Sequence, residues 1–403
     1  MTRSPIVSSL ASLLCLVACA LAPRTHAETA AKGPVGKALA AFVEEGTLAG
    51  AVAVVATGEA ILAEETVGFR DLESRDAMRS DSLFWIASMT KPITAMAVMM
   101  LVEEGKLGLD DPVAKHLPAF RGQMRIEEKS EDRLVLTKPS RPATLRDLMT
   151  HTAGVAGSPA LEGGALDVLS LREAVLGYGL LPLLFEPGEK WAYSNPGINV
   201  LGRLVEVASG EDYAAFLQRR LFDPLGMADT TFWPDEGQMA RLATAYQPKK
   251  EGSGLEPTTI RYLTEPYSNE RRAPLAAGGL FSTAGDLLKL YRMLLGGGEA
   301  DGRRFLSRES IAEMASDQVP GLKAGFTEGM GMGLGFQVVR EARGVTETLS
   351  PGTYGHGGAY GTQGWIDPEK GLIHILLIQR AGLSNGDASP MREAFHRAGA
   401  GLR

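Results

Sequence analysis

The distribution of strand-like segments along the chain is its strongest constraint on fold. Near the start, Ala51 to Thr57 and Ala60 to Phe69 read as two β-rich runs joined by Gly58-Glu59, a hairpin signal. Near the end, strand-like runs recur at Gly335 to Arg340, Gly361 to Asp367 and Leu372 to Arg380, followed by a helix from about Pro390. Between them the texture is helical: Thr144 to Met149, Leu169 to Leu176, Ile198 to Ala208 and Tyr213 to Arg220 have helical spacing, separated by Gly- and Pro-rich turns. Strands at both ends enclosing a helical middle predict one sheet built from both termini, with the middle inserted. The expected fold is α+β, a mainly antiparallel sheet flanked by helices. Residues 28–109 and 278–403 would form the sheet-bearing domain, and 110–277 a mostly helical insertion.

Local punctuation refines this reading. Ile93 to Glu104 is an apolar helix almost without a polar face, ending at Gly105, and such a helix belongs in a core. Its Met96, Met99 and Met100 read as packing residues. Met124 to Lys138 is a charged hairpin-like excursion, Gln247 to Pro274 a long polar loop region, and Gly285 to Leu295 a further helix closed by three glycines.

Composition excludes several classes of protein. With 44% hydrophobic and 22% charged residues, the 403-residue chain can bury a large core and is not intrinsically disordered. Its 41 basic and 48 acidic residues give a net charge of −7 with no strong charge asymmetry between the two halves, which argues against nucleic acid as a partner. Arg3, the apolar run Ile6 to Ala22 and the small residues before Glu28 predict an export signal over residues 1–27, and a periplasmic or secreted protein. Leu16 to Cys19 resembles a lipobox, so a lipid anchor at Cys19 is the alternative to soluble export after Ala27. Both cysteines lie in this leader, so no disulfide framework is expected. No later segment is long and apolar enough to span a bilayer. Nothing implies a metal site or another cofactor: there is no H-E-x-x-H, and Gly329 to Gly335 lacks dinucleotide-binding spacing and reads as a lead into a strand.

Chemistry concentrates at Ser88-Met89-Thr90-Lys91. Pro92 lacks an N–H and belongs in a first helical turn, so the helix carrying Lys91 should begin at about Ser88. Ser88 and Lys91 then share a face, with free backbone N–H groups nearby to favour negative charge. A serine becomes a nucleophile when a neighbour takes its proton, and lysine can do so only as a neutral amine. Lowering its pKa by about three units costs roughly 4 kcal/mol, to be supplied by burial or nearby positive potential. Alone, the motif is better explained as a helix-capping serine beside a surface lysine.

Two further motifs decide the matter. Tyr193-Ser194-Asn195 sits in a turn before Pro196-Gly197, and Gly355-His356-Gly357-Gly358 precedes a strand-like run. The order S-x-x-K, Y-S-N, H-G-G resembles the serine β-lactamase and penicillin-binding-protein-like superfamily, in its class C β-lactamase, DD-peptidase and family VIII carboxylesterase branch. Phe84 to Ala87, Leu148 to Gly154, Pro224 to Met227 and Gly278 to Thr283 support the likeness, which runs from about residue 35 to about 398.

The resemblance implies that Ser88 is acylated, while Lys91 and Tyr193 handle its proton and that of the leaving group. Asn195 would orient substrate or lysine. His356 stands where the family commonly has the lysine of K-T-G, and would bind substrate with Gly357 and Gly358. The oxyanion hole would be the backbone N–H groups of Ser88 and Ala359. At Gly357 the chain lacks the K-T-G hydroxyl, and a histidine is charged only part of the time near neutral pH. Carboxylate recognition is weakened accordingly, and a small neutral ester, ahead of an amide, is the expected substrate. The alternatives are a β-lactamase or D-alanyl-D-alanine carboxypeptidase, an acyltransferase, and a non-catalytic cell-wall binding protein.

Other nucleophile and base candidates are weaker. Gly382-Leu383-Ser384-Asn385-Gly386 matches G-x-S-x-G, but only Asp387 and His396 follow it as triad partners. His151 reads as a loop histidine bonded to backbone. His116, His374 and His396 have no motif around them and read as surface or sheet residues. The sequence does not specify an oligomeric state.

Overall fold

In a computed structural model, the structure describes residues 1–2, 33–157 and 164–402. The expected leader and its cysteines lie outside the described residues, except for Met1 and Thr2. Eight strands form the main sheet: β1 (Gly50–Ala56), β2 (Ile61–Asp71), β3 (Asp76–Ala77), β4 (Met330–Met332), β5 (Gln337–Val339), β6 (Tyr354–Gly357), β7 (Gln363–Asp367) and β8 (Leu372–Leu377). Their spatial order is β4-β5-β6-β7-β8-β1-β2-β3, with every pairing antiparallel. The first strand meets the last at the centre, with Val54 opposite Ile375. The two chain ends thus close one sheet, as the strand distribution predicts.

Both central strands are buried throughout, because both faces of the sheet are covered. Alternation along β1 divides its side chains between two clusters. Ala51, Ala53 and Val55 pack with Val35 and Leu39 of α1 (Pro34–Glu44) and with Phe395 of the C-terminal helix Pro390–Gly399. Val52, Val54 and Ala56 point into the larger core, which holds α2 (Thr90–Glu103) and continues without a break into the middle of the chain. Residues Thr90 through Leu101 of α2 are all buried, which explains the missing polar face. Gly105, at φ +70°, supplies the left-handed residue after the helix.

The middle of the chain contributes α3 (Leu145–Met149), α4 (Leu171–Leu180) and α5 (Asn195–Ser209). Ser or Thr caps each: Thr144, Ser170 and Ser194 accept hydrogen bonds from N–H groups of the first turn. The charged excursion is a hairpin of Arg125–Lys129 and Leu134–Thr137. The polar loop region contains Leu255–Thr258, which pairs with Ala245–Pro248. Strands β4 and β6 are not apparent from residue type, since Met-Gly-Met and Tyr-Gly-His-Gly carry no β-branched side chain. Gly329 to Gly335 thus contains a strand rather than merely leading into one.

The unassigned histidines need one correction. His374 is a sheet residue on β8, and His116 is half-buried beside Asp111. His396 is neither on the surface nor in the sheet: it lies on the C-terminal helix, fully buried, with its ring 5.3 Å from that of His374.

Candidate active site

Ser88 is held by a short structural clamp. Phe84–Trp85 pairs with Phe281–Ser282, the Ile86 N–H donates to Leu280 O (3.0 Å), and the Trp85 indole N–H donates to Gly278 O (2.7 Å). From just beyond β8, the Gln379 amide donates to Trp85 O (2.8 Å), and from the turn before β7 the Thr362 hydroxyl reaches Ile86 O (3.3 Å). So braced, Ala87 adopts φ +48°, a left-handed conformation that costs a non-glycine residue on the order of 1 kcal/mol. A 3₁₀ turn at Ala87–Met89 then feeds α2, close to the expected start at Ser88.

One helical turn separates Ser88 from Lys91, and Lys91 Nζ lies 3.0 Å from Ser88 Oγ. The amine also donates to the carbonyl of Ala277 at 2.5 Å. Lys91 is wholly buried, and burial alone holds its pKa well below the ordinary lysine value. The nearby positive potential considered as a second source is not needed.

Tyr193 reaches the same oxygen. Its phenol donates to Ser88 Oγ at 2.7 Å, and its ring centre lies 4.6 Å from Lys91 Nζ. Burial pushes the phenol far above its ordinary pKa, so it remains a donor at neutral pH. Ser194 fixes the turn. Its Oγ accepts from Gly197 N–H and donates to Val155 O, both at 3.0 Å, and its N–H donates to His151 Nδ1 at 3.1 Å. His151 is therefore the backbone-bonded loop histidine that its context suggests. Its ring centre lies 4.7 Å from that of Tyr193, the two rings tilted by 40°, and burial holds it neutral.

Asn195 begins α5 and lines the cavity beside Ser88; among the described residues the lysine's hydrogen-bonding neighbours are Ser88 and Ala277 instead. His356 ends up different from expectation. It is buried on β6, its Nδ1 donates to Gly357 O at 2.6 Å, and burial lowers its pKa to about 3. The imidazole is thus neutral throughout the physiological range, not charged part of the time.

Gly357 and Gly358 have steric reasons to be glycine. A Cβ at 358 would stand 2.1 Å from Thr362 Oγ1 and 2.7 Å from Ile86 O, so this strand end packs directly on the Ser88 turn. The Ser88 and Ala359 N–H groups have no acceptor among the described residues. Ser88, Tyr193, Tyr262 and Ala359 form a ridge between two cavities. One, of about 130 Å³, is lined by Trp85, Leu166, Leu275 and Asn195. The other, of about 580 Å³, is lined by His356, Gly357, Phe326, Ser384 and Asp387 among others.

The Ser384 alternative fails on geometry. His396 has no exposed surface, and its Nε2 faces Arg392 Nε at 3.3 Å. Asp387 is committed to Arg392 rather than to a histidine. Several contributors were invisible in the motifs. Asn199 Oδ1 accepts from Ala277 N–H (3.1 Å) and Thr94 donates to Ala276 O (2.7 Å), together fixing the carbonyl that receives the lysine. Position 199 lies one turn beyond Asn195 on an identifiable helix, but its partner is a backbone group distant in sequence.

Known proteins match this chain over most of its length. The Beta-lactamase family model covers residues 35–397. An uncharacterised protein of Mycobacterium tuberculosis is 35% identical over 366 residues, spanning 86% of this chain and 89% of that protein. The esterase EstB of Burkholderia gladioli is 32% identical over 382 residues, spanning 88% of this chain and 92% of its own length. Among solved structures, EstCE1, described as a hydrolase with promiscuous acyltransferase activity, superimposes with a TM-score of 0.73 at 25% identity, covering 90% of this chain and 97% of that one. The antiparallel sheet with flanking helices and the extent of these matches lead to one conclusion: the chain belongs to the Beta-lactamase family and is a serine hydrolase of that superfamily.

Proposed function

We propose that the protein is an exported carboxylesterase that cleaves small neutral esters through an acyl-Ser88 intermediate. The observation that carries this reading is the convergence on Ser88 Oγ of a buried lysine amine and a protonated tyrosine, at 3.0 and 2.7 Å, beside a substrate cleft with no cation at positions 356 and 357. EstB, an esterase by name, is a relative that supports the ester preference.

The chemistry follows from the protonation states. Neutral Lys91 takes the proton as Ser88 Oγ attacks the ester carbonyl. The Ser88 and Ala359 N–H groups receive the developing oxyanion, each contributing about 3 kcal/mol of transition-state stabilisation. Lys91 then returns its proton through the Tyr193 hydroxyl to the departing alkoxide, leaving acyl-enzyme and alcohol. In the second half, water attacks the acyl carbonyl and gives its proton to the same relay, which restores the Ser88 hydroxyl. Asn195 orients substrate from the small cavity, and His356, Gly357 and Gly358 shape the large one. Replacing water by another alcohol would give acyl transfer, a second reading favoured by the size of the large cavity and by the likeness to EstCE1.

Turnover of p-nitrophenyl butyrate and of a chromogenic cephalosporin, measured side by side, tests the assignment. The ester should be preferred, and mass spectrometry should find the acyl adduct on Ser88 in the parent protein but not in Ser88→Ala. Preference for the cephalosporin would transfer the reading to a β-lactamase or peptidase. N-terminal sequencing of exported protein tests cleavage after Ala27 against lipidation at Cys19.

A further inference from the structure

Gly357 borders a side chain whose position bears on substrate charge. A Cβ built on Gly357 would stand 2.2 Å from Asp387 Oδ1 and 2.7 Å from Gln363 Nε2. The space next to the strand that a hydroxyl-bearing residue would need is therefore filled by a carboxyl group. Asp387 also lines the large cavity that opens beside Ser88.

Its counter-ion sits behind it. The Arg392 guanidinium stacks 4.2 Å over the Trp365 ring, with Nη1 donating to Asp387 O (2.7 Å) and lying 3.4 Å from Asp387 Oδ1. Arg392 is fully buried and does not line the cavity. A molecule in the cleft thus meets the acid and not the base. Arg261 is the one other lining residue with a full charge among those described; it is exposed and bonded to the Tyr262 hydroxyl (2.6 Å), and solvent screens it. His356 is neutral, as shown above. Burial holds the Asp387 pKa above the ordinary carboxylate value, an effect that Arg392 and the Gln363 and Gln337 amides offset only in part.

We propose that Asp387 is a specificity-determining residue that excludes substrates carrying a carboxylate near the scissile carbonyl and selects neutral or cationic esters. Asp387 does so in two ways. It occupies the volume from which residue 357 could donate a hydrogen bond to an anion, and it places like charge next to any carboxylate that enters. This deepens the esterase reading and rests on it for the identity of the reaction, but not for the charge preference itself.

The test uses matched substrates with the charge on either side of the ester. One pair is p-nitrophenyl butyrate and mono-p-nitrophenyl glutarate; the other is ethyl butyrate and the butyryl ester of glycolic acid. The parent protein should prefer the neutral member of at least one pair. Asp387→Asn, which keeps the shape and removes the charge, should narrow that preference on the order of tenfold, the scale of one unit charge felt across several ångströms of partly screened protein. The ratio of kcat/KM values is read, so a general loss of activity does not enter. A second measurement needs no variant: 3-carboxyphenylboronic acid should inhibit the parent protein more weakly than phenylboronic acid. An unchanged ratio in both pairs, or equal or tighter inhibition by the carboxylated boronate, overturns the proposal. Absence of turnover for every ester would instead overturn the esterase reading, with the boronate comparison still reporting on Asp387.

Discussion

The Lys91 amine lies 4.6 Å from the centre of the Tyr193 ring, and the two side chains meet at Ser88 Oγ. Burial acts on them in opposite chemical senses, because it disfavours whichever form is charged. The amine is driven towards neutrality and becomes a base, whereas the phenol is held protonated and remains a donor. One apolar environment thus sorts two groups with similar solution pKa values into distinct parts of a proton relay.

The first consequence is a pH profile. Since the neutral amine is the active form, acylation should rise with pH through the depressed Lys91 pKa and then level off. His356, lowered to about 3, should not add a second transition near neutrality. The burst of p-nitrophenol from a stopped-flow series between pH 5 and 10 measures this. Lys91→Arg, cationic throughout the range, should lose roughly 10²- to 10⁴-fold in acylation rate.

Tyr193→Phe separates the hydroxyl from the ring. The ring contacts to His151 (4.7 Å) and Phe326 (4.9 Å) should survive, so the melting temperature should move little. Proton delivery to the leaving alkoxide should not survive, and kcat should fall roughly 10²- to 10³-fold. The loss should be smaller for p-nitrophenyl esters than for alkyl esters, because p-nitrophenolate departs without a proton. An equal loss for both would place the phenol elsewhere in the mechanism.

What could be read from the sequence, and what could not, follows from how far each interaction reaches. The central strands were legible because β1 is apolar throughout and β8 nearly so, and α2 because its apolar run ends at a glycine. Ser88 and Lys91 were legible because one helical turn joins them. Tyr193, His356 and Gly357 came only from the order of motifs, since no local pattern links residues more than a hundred positions apart. Ala277 gave no signal, as its contribution is a backbone carbonyl. The charge state of His356 was misjudged because burial, which decides it, is a tertiary property. His396 was misplaced for the same reason: the C-terminal helix has a polar composition, yet this position faces the sheet.

Asn199 should act on the lysine from a distance. Its Oδ1 holds the Ala277 N–H, whose own carbonyl accepts the Lys91 amine. Asn199→Leu leaves a buried N–H without a partner, at a cost of about 1–3 kcal/mol in stability. A merely structural role would stop there. A positioning role predicts in addition that the acylation pKa shifts and kcat falls while KM changes little, and Asn199→Asp, which restores an acceptor, should recover part of the rate. Urea denaturation and the pH dependence of the burst, measured on both variants, distinguish the two roles.

The buried His374 should make the fold sensitive to acid. Burial lowers its pKa from 6.5 to about 4 in the folded protein, whereas the unfolded chain binds the proton at the ordinary value. Between these limits the unfolded state holds more protons, so stability should be intact above pH 6.5 and decline progressively as pH falls towards 4. The full shift corresponds to about 3 kcal/mol at most. His396, in ring contact with His374 and also buried, should add to the same decline. Replacing His374 by Leu retains an apolar contact for Phe395 and removes one titrating group. Its melting temperature should therefore drop less steeply between pH 6.5 and 4 than that of the parent protein, whatever its value at pH 8. Parallel curves for the two proteins would mean that His374 is not a source of the acid sensitivity.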